Sequence, residues 1–214
     1  MKRFRHFPSH ARLPLISVLL LNTLTYFGTK LLLNQRECLD FGTPIDDMLP
    51  LVPLFSIFYV LAYLQWGINY WLHAYYDKES YYQLAVSDLI AKAICLVCFL
   101  VIPVTIARPQ ILGSDLFSRI TALIYRIDSP HNLFPSVHCV ESWIAYRAAR
   151  GLGDQAPRWY APAHLILALL VFASTVLIKQ HFLADVLAGI AVVELGWFLS
   201  RRLRLWRVFD RSPR

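Results

Sequence analysis

The sequence predicts an all-α integral membrane protein, built as a bundle of six transmembrane helices with one short interfacial helix. Three observations predict this fold: few charges, long apolar runs and basic residues at both ends of the chain. Apolar residues make up 57% of the 214 residues and only 16% are charged, whereas soluble domains usually carry about 25% charged residues. Several apolar runs reach the roughly 20 residues that a helix needs to cross the hydrocarbon core. We therefore expect a single membrane domain over residues 1–214.

Polar and proline-containing segments divide the apolar sequence into spans. The fourth predicted span is short and carries His138 and Glu141, but such a helix can still cross where protein covers its polar face. The interfacial helix is predicted over 115–125, in the long connector before this span. The six spans are predicted at residues 13–33, 49–72, 85–106, 135–149, 160–178 and 181–199.

Basic residues cluster in the two tails, residues 1–12 and 200–214. Six spans place both termini on the same side of the membrane. Lys and Arg are enriched on the cytoplasmic side of membrane proteins, so we expect both termini in the cytoplasm. Terminal clusters of this kind contact membrane lipids, and no aromatic platform accompanies them, so we expect no nucleic-acid partner. The residues between the tails that are assigned to the cytoplasmic side are Lys78, Lys92, Arg147, Arg150 and Arg158.

Ionisable residues in the predicted membrane segments indicate a functional site. His181 and Asp185 are four residues apart, and on a helix this spacing places both side chains on one face. The carboxylate can accept a proton from one imidazole nitrogen and leave the other as a nucleophile or base. The alternative is a helix-end histidine beside an incidental aspartate. The predicted orientation brings Arg108 and His138 to the same non-cytoplasmic face, so three segments converge there.

A second group of polar residues begins the fourth predicted span. Pro135 suits the first turn of a helix, where free amides and the helix dipole can bind an anion. Ser136 can add a hydroxyl donor, His138 can donate a proton, and Arg108 can bind phosphate oxygens as a fork. Each residue also has a simpler interpretation. Pro135 and Ser136 can be an ordinary helix start, His138 a core histidine and Arg108 an interfacial arginine.

Three short motifs resemble those of a known family. Arg108-Pro109, Pro135-Ser136-x-His138 and Ser174-x6-His181-x3-Asp185 resemble, in this order, the signature motifs of the type-2 phosphatidic acid phosphatase and vanadium haloperoxidase superfamily. The resemblance covers about residues 103–189. It is closest to the branch that includes inositol-phosphorylceramide synthases.

The resemblance implies a role for each motif residue. His181 would be the nucleophile that takes the phosphoryl group as phosphohistidine, and Asp185 would orient it. His138 would protonate the leaving oxygen and then activate water or an acceptor hydroxyl. The scheme needs no metal and no cofactor. The phosphate would be bound by Arg108, Ser136 and the amide of Val137.

The sequence departs from the family pattern at three positions. Val101 stands where the first motif usually has Lys, and Thr175 stands where the third usually has Arg. Val137 replaces the usual Gly before the histidine of the second motif. Lys179, four residues after Thr175, is our candidate for the missing cation. Further candidates are Arg119 and Arg126.

The resemblance implies a lipid phosphate phosphatase on the non-cytoplasmic face, with a lipid phosphate as substrate and membrane lipids as its other partners. Phosphatidate, phosphatidylglycerophosphate and isoprenyl pyrophosphate are candidate substrates. A head-group phosphotransferase that uses the same histidines is the first alternative, and an acceptor-dependent product would identify it. A transporter is a further alternative, although no inverted repeat is evident. A catalytically inactive scaffold is another, because two family cations are absent.

Overall fold

Helices form the regular structure of the computed structural model, which describes residues 6–29, 37–128 and 130–210. In these ranges there is no strand; isolated bridges join Leu39 to Val104 and Thr105 to His131. The all-α prediction is therefore confirmed. The helices are α1 (Ser9–Thr23), α2 (Pro44–Met48), α3 (Ser56–Tyr76), α4 (Lys78–Val101), α5 (Leu116–Ile127), α6 (Val137–Gly151), α7 (Tyr160–Leu177) and α8 (Leu183–Arg202).

Within the described residues, four helical stretches are long and apolar enough to cross a membrane. They are Ser9–Gly28, which is α1 with the wider turn that follows it, and α4, α7 and α8. The predicted count of six spans is not confirmed. α6 has only 15 residues and is about 22 Å long, less than the roughly 30 Å of a hydrocarbon core. α3 has sufficient length, but it buries Gln65, Asn69 and His73, which lower its apolar character.

The predicted loop over residues 73–83 is wrong. Asp77 alone separates α3 from α4, and its side chain accepts a hydrogen bond from the Ser80 amide at 2.5 Å. Because this contact caps the helix, α4 begins at Lys78 and not at the predicted Ala85. α5 agrees closely with the predicted interfacial helix, and Asp115 caps it.

Parts of three predicted segments lie outside the described residues. They are residues 30–33 at the end of the first predicted span, and residues 1–5 and 211–214 of the two basic tails. The first span itself begins at Ser9, four residues before the predicted start.

Lys92, which was counted among the cytoplasmic charges, is a buried residue inside a helix. It lies inside α4 with 1% of its surface exposed. Its ammonium is 2.6 Å from Asp88 and forms a second ion pair with Glu141 of α6. Charge counting fails here because a lysine inside a membrane helix can be stabilised by carboxylates from the bundle interior.

Backbone contact holds the start of α6, which carries His138, against the first turn of α8, which follows His181. α6 packs against α3, α4, α7 and α8. The Ser136 amide, just before α6, donates to the carbonyl of Asp185 in α8 at 3.2 Å. Gly189 permits this approach, because a Cβ there would lie 3.1 Å from the Cβ of Cys139 and 3.2 Å from the Ser136 carbonyl oxygen. The separation of α6 and α8 therefore depends on a residue without a side chain.

Candidate functional site

His181 lies in the tight turn that joins α7 to α8. The amides of Gln180 and His181 both donate to the carbonyl of Thr175, at 2.9 and 3.0 Å, and Lys179 adopts a left-handed conformation with φ of 53°. The turn brings Nδ1 of His181 to 3.2 Å from Oδ2 of Asp185. The two side chains therefore meet, but through this turn and not on one helical face, since α8 begins after His181.

Asp185 fixes the orientation of the His181 ring. It is fully buried, and its Oδ2 also accepts from the Phe182 amide at 3.0 Å. Its Oδ1 has no hydrogen-bond partner among the described residues. When the protonated Nδ1 of His181 donates a hydrogen bond to this carboxylate, Nε2 carries the lone pair, which is the form that a nucleophilic imidazole needs.

His138 lies on the first turn of α6 inside a group of aromatic rings. Its ring stacks on Tyr59 at 3.8 Å between centroids, and the rings of Tyr63 and Trp66 lie at 5.5 and 5.1 Å. The side chain is 9% exposed, and within the described ranges its Nε2 has no hydrogen-bond partner. Packing against the three aromatic rings holds this ring, and its Nε2 is buried.

Ser136 and Val137 form the start of α6. Ser136 is fully buried, and its hydroxyl caps the helix by accepting from the Cys139 amide at 3.4 Å. Val137 is the first helical residue, a position where amides lack partners inside the helix. The Ser136 hydroxyl therefore accepts the capping hydrogen bond of α6. Val137 lies beside His138 in the wall of a cavity.

Arg108 is anchored to the turn that carries His181. Its Nη2 donates to Oε1 of Gln180 at 2.5 Å, and its Nη1 donates to the carbonyls of Asp128 and Tyr125 at 2.7 and 3.2 Å. The guanidinium also lies 4.9 Å from the centre of the Tyr125 ring. Burial lowers the pKa of Arg108, while Tyr59 and Tyr125 act in the opposite direction.

Two cavities meet at His181. The larger, of about 540 Å³, is lined by His138, His181 and Gln180. The smaller, of about 340 Å³, is lined by His181, Arg108 and Lys179. The structure therefore brings the two histidines to one cavity and the two cations to the other, with His181 common to both.

Lys179, which lines the smaller cavity together with Arg108, is held by Asp46 of α2. Its Nζ donates to the Asp46 carbonyl at 2.7 Å, and Oδ1 of Asp46 accepts from the Leu183 amide at 2.8 Å. Burial of Asp46 acts to raise its pKa, but the Thr43 hydroxyl, the Leu183 amide and the Lys179 charge outweigh this effect and lower it below the ordinary value. Asp46 therefore links Lys179 to the start of α8 in its ionised form.

Several residues of the site have no counterpart in the sequence analysis. The carboxylate of Asp128 accepts from the hydroxyls of Tyr26 and Tyr59 at 2.7 Å each, and these pairs are too distant in the chain to leave a pattern. Asp88 and Lys92, in contrast, do form a recognisable sequence pattern, because opposite charges four residues apart inside an apolar helix indicate a buried ion pair.

Comparison with family models places the motifs in one family. The model described as the PAP2 superfamily matches residues 31–199. This range includes Arg108, His138, His181 and Asp185. No curated protein and no solved structure matches the chain.

Proposed function

Because the chain belongs to the PAP2 superfamily, we propose that it is an integral membrane lipid phosphate phosphatase that reacts through a phosphohistidine. Membership of the superfamily suggests phosphatase-type activity, and the four apolar helices are compatible with a membrane location. One observation carries the proposal: His181 and His138 line the same cavity while Asp185 holds Nδ1 of His181.

The reaction divides into two transfers of the phosphoryl group. In the first, Nε2 of His181 attacks phosphorus, the bond from phosphorus to the lipid oxygen breaks, and His138 gives that oxygen a proton. In the second, His138 takes a proton from water, which attacks the phosphohistidine and releases phosphate. Such transfers depend mainly on positioning and charge stabilisation, and an acid–base group typically contributes about 10²–10⁴ in rate. No metal takes part.

The phosphate is assigned to the space between His181 and the two cations. Arg108 would exchange its bond to Gln180 for a phosphate oxygen, and Lys179 would take the place of the cation that Thr175 does not provide. Thr175 is buried and uncharged, and its hydroxyl donates to the Phe172 carbonyl at 2.8 Å. We assign this end of the bundle to the non-cytoplasmic face and both termini to the cytoplasm.

A panel of lipid phosphates assayed for phosphate release tests the proposal. Wild-type protein should release phosphate with EDTA present, and His181→Ala should lose the activity. His164→Ala is a matched control, since His164 is a buried histidine of α7 that lines neither cavity. Release that persists in His181→Ala, or that EDTA abolishes, would contradict the proposal.

A phosphotransferase that uses the same histidines is the second candidate. The larger cavity favours it, because about 540 Å³ is far more space than a single water needs. In that reaction an alcohol replaces water in the second transfer. A phosphorylated product that appears only with the alcohol distinguishes the two reactions.

A further inference from the structure

A buried cluster of polar and ionisable residues lies in the bundle beyond the two histidines. It consists of Asp88 and Lys92 on α4, Glu141 on α6 and Tyr70 on α3. Lys92 lies 2.6 Å from Asp88 and also contacts Glu141, and the Tyr70 hydroxyl donates to Asp88. The exposed fraction of each of these four side chains is below a tenth. Charges at this depth are costly and indicate function by default.

The cluster is incomplete on the side that faces the larger cavity. Both oxygens of Asp88 are occupied, one by Lys92 and one by Tyr70. Glu141 uses only Oε1, and Lys92 has three N–H donors but two carboxylate partners. Among the described residues, one Lys92 donor and Oε2 of Glu141 thus remain without a partner. Lys92 and Glu141 line the cavity, whereas Asp88 does not.

This donor and acceptor lie close to the reacting groups. Glu141 follows His138 by three residues on α6, so their side chains are neighbours on one face, with Cβ atoms about 5–6 Å apart. Glu141 is one turn further into the bundle. Apolar and aromatic side chains also line this cavity, among them Val18, Tyr63 and Trp66. Because His181, Lys92 and Glu141 line the same cavity, a lipid with its phosphate at His181 would extend into the space that Lys92 and Glu141 border.

We propose that Lys92 and Glu141 form a subsite for an aliphatic hydroxyl of the substrate. The hydroxyl donates to Oε2 of Glu141 and accepts from Nζ of Lys92. An ester carbonyl can only accept and an ammonium can only donate, whereas a hydroxyl does both. The inference rests on the proposed function, which supplies the phosphate at His181.

The hydroxyl has two possible sources. It belongs either to the lipid phosphate itself, one or two carbons from the phosphate ester, or to a separate alcohol that accepts the phosphoryl group. In the second case the alcohol carries two hydroxyls, and the one bound by Lys92 and Glu141 does not react. The bond from phosphorus to His181 breaks, the oxygen of the other hydroxyl bonds to phosphorus, and His138 takes the proton of that hydroxyl. The same donor and acceptor would bind both.

The first experiment compares two lipids that differ only in the hydroxyl. Lysophosphatidate has a free hydroxyl beside its phosphate ester, and its 2-O-methyl ether does not. A hydrogen bond to a charged group favours the free hydroxyl by about 10- to 100-fold, and we expect this ratio in kcat/KM for phosphate release. In a second arm, monoacylglycerol is added to the methyl ether, and a phosphorylated monoacylglycerol product identifies an acceptor alcohol as the source.

Two variants separate the subsite from the stability of the cluster. Glu141→Gln keeps an acceptor for Lys92 but presents an N–H₂ donor in place of Oε2, so the ratio should fall to within about twofold of one, or the transfer product should disappear. Asp88→Asn weakens the ion pair without changing an atom of the cavity wall. It should lower the unfolding temperature and keep the ratio. A ratio within one preparation is insensitive to the fraction of folded protein.

The outcomes distinguish the subsite from the reaction. Phosphate release at equal rates from both lipids, without a transfer product, overturns the subsite and leaves the phosphatase intact. A preference that survives Glu141→Gln also overturns it. If neither lipid releases phosphate, the binding of each lipid to His181→Ala is measured by calorimetric titration. Binding of lysophosphatidate at least 10-fold tighter than binding of its methyl ether supports the subsite, and equal binding overturns it.

Discussion

Gln180→Glu tests whether Arg108 binds the substrate phosphate. Oε1 of Gln180 already lies 2.5 Å from Nη2 of Arg108, so a carboxylate oxygen can take its place without movement. Replacing the neutral acceptor of this hydrogen bond by a carboxylate strengthens it by about 1 kcal/mol, and the phosphate must overcome this difference. We therefore expect KM for the lipid phosphate to rise about fivefold or more, with kcat little changed, because binding common to the ground and transition states is lost.

The assay is initial phosphate release over a range of substrate concentrations in detergent micelles. Gln155→Glu is the matched control, because Gln155 is exposed in the connector between α6 and α7. It adds the same charge and should leave KM unchanged. An unchanged or lower KM in Gln180→Glu would refute the assignment of Arg108 to the phosphate.

Three further predictions concern His138, the contact between α6 and α8 at Gly189, and Asp46 of α2. His138→Ala should lower kcat by about 10²–10⁴ in the same assay, with the unfolding temperature as a check on folding. Gly189→Val should lower the free energy of unfolding by about 1–3 kcal/mol through overpacking between α6 and α8, whereas Gly67→Ala should not, since a Cβ there meets nothing within 4 Å. The pKa of Asp46 is lowered on folding, so its ionised form stabilises the fold at neutral pH. This contribution should be lost as the pH falls below about 4 in wild type and be missing at every pH in Asp46→Asn, as measured by thermal unfolding against pH.

Much of the fold follows from local patterns that the sequence contains. Apolar runs predicted the helices, and caps such as Asp77 and Asp115 explain where two of them begin. Hydropathy does not predict which polar side chains a helix buries inside the bundle, such as Gln65 on α3. Hydropathy also cannot show that a charged residue is buried inside the bundle, which is why Lys92 was counted among the cytoplasmic charges.

The site follows from the sequence only as a set of residues. The motifs named Arg108, His138 and His181, and the structure brings their segments together. The contacts that set their geometry join residues distant in the chain, such as Arg108 to Gln180 and Tyr59 to Asp128. Hydrophobic periodicity records which face is buried but not which buried polar groups meet, so these contacts required the tertiary structure.

Detection of the phosphohistidine itself tests the central claim most directly. Wild-type protein is mixed with a lipid phosphate carrying ³²P, stopped in alkali, digested, and analysed for the modified residue by mass spectrometry. The account predicts an alkali-stable label on His181 that is absent from His181→Ala and present in His164→Ala. Label on a different residue, or steady phosphate release with no labelled protein at any time, would contradict it.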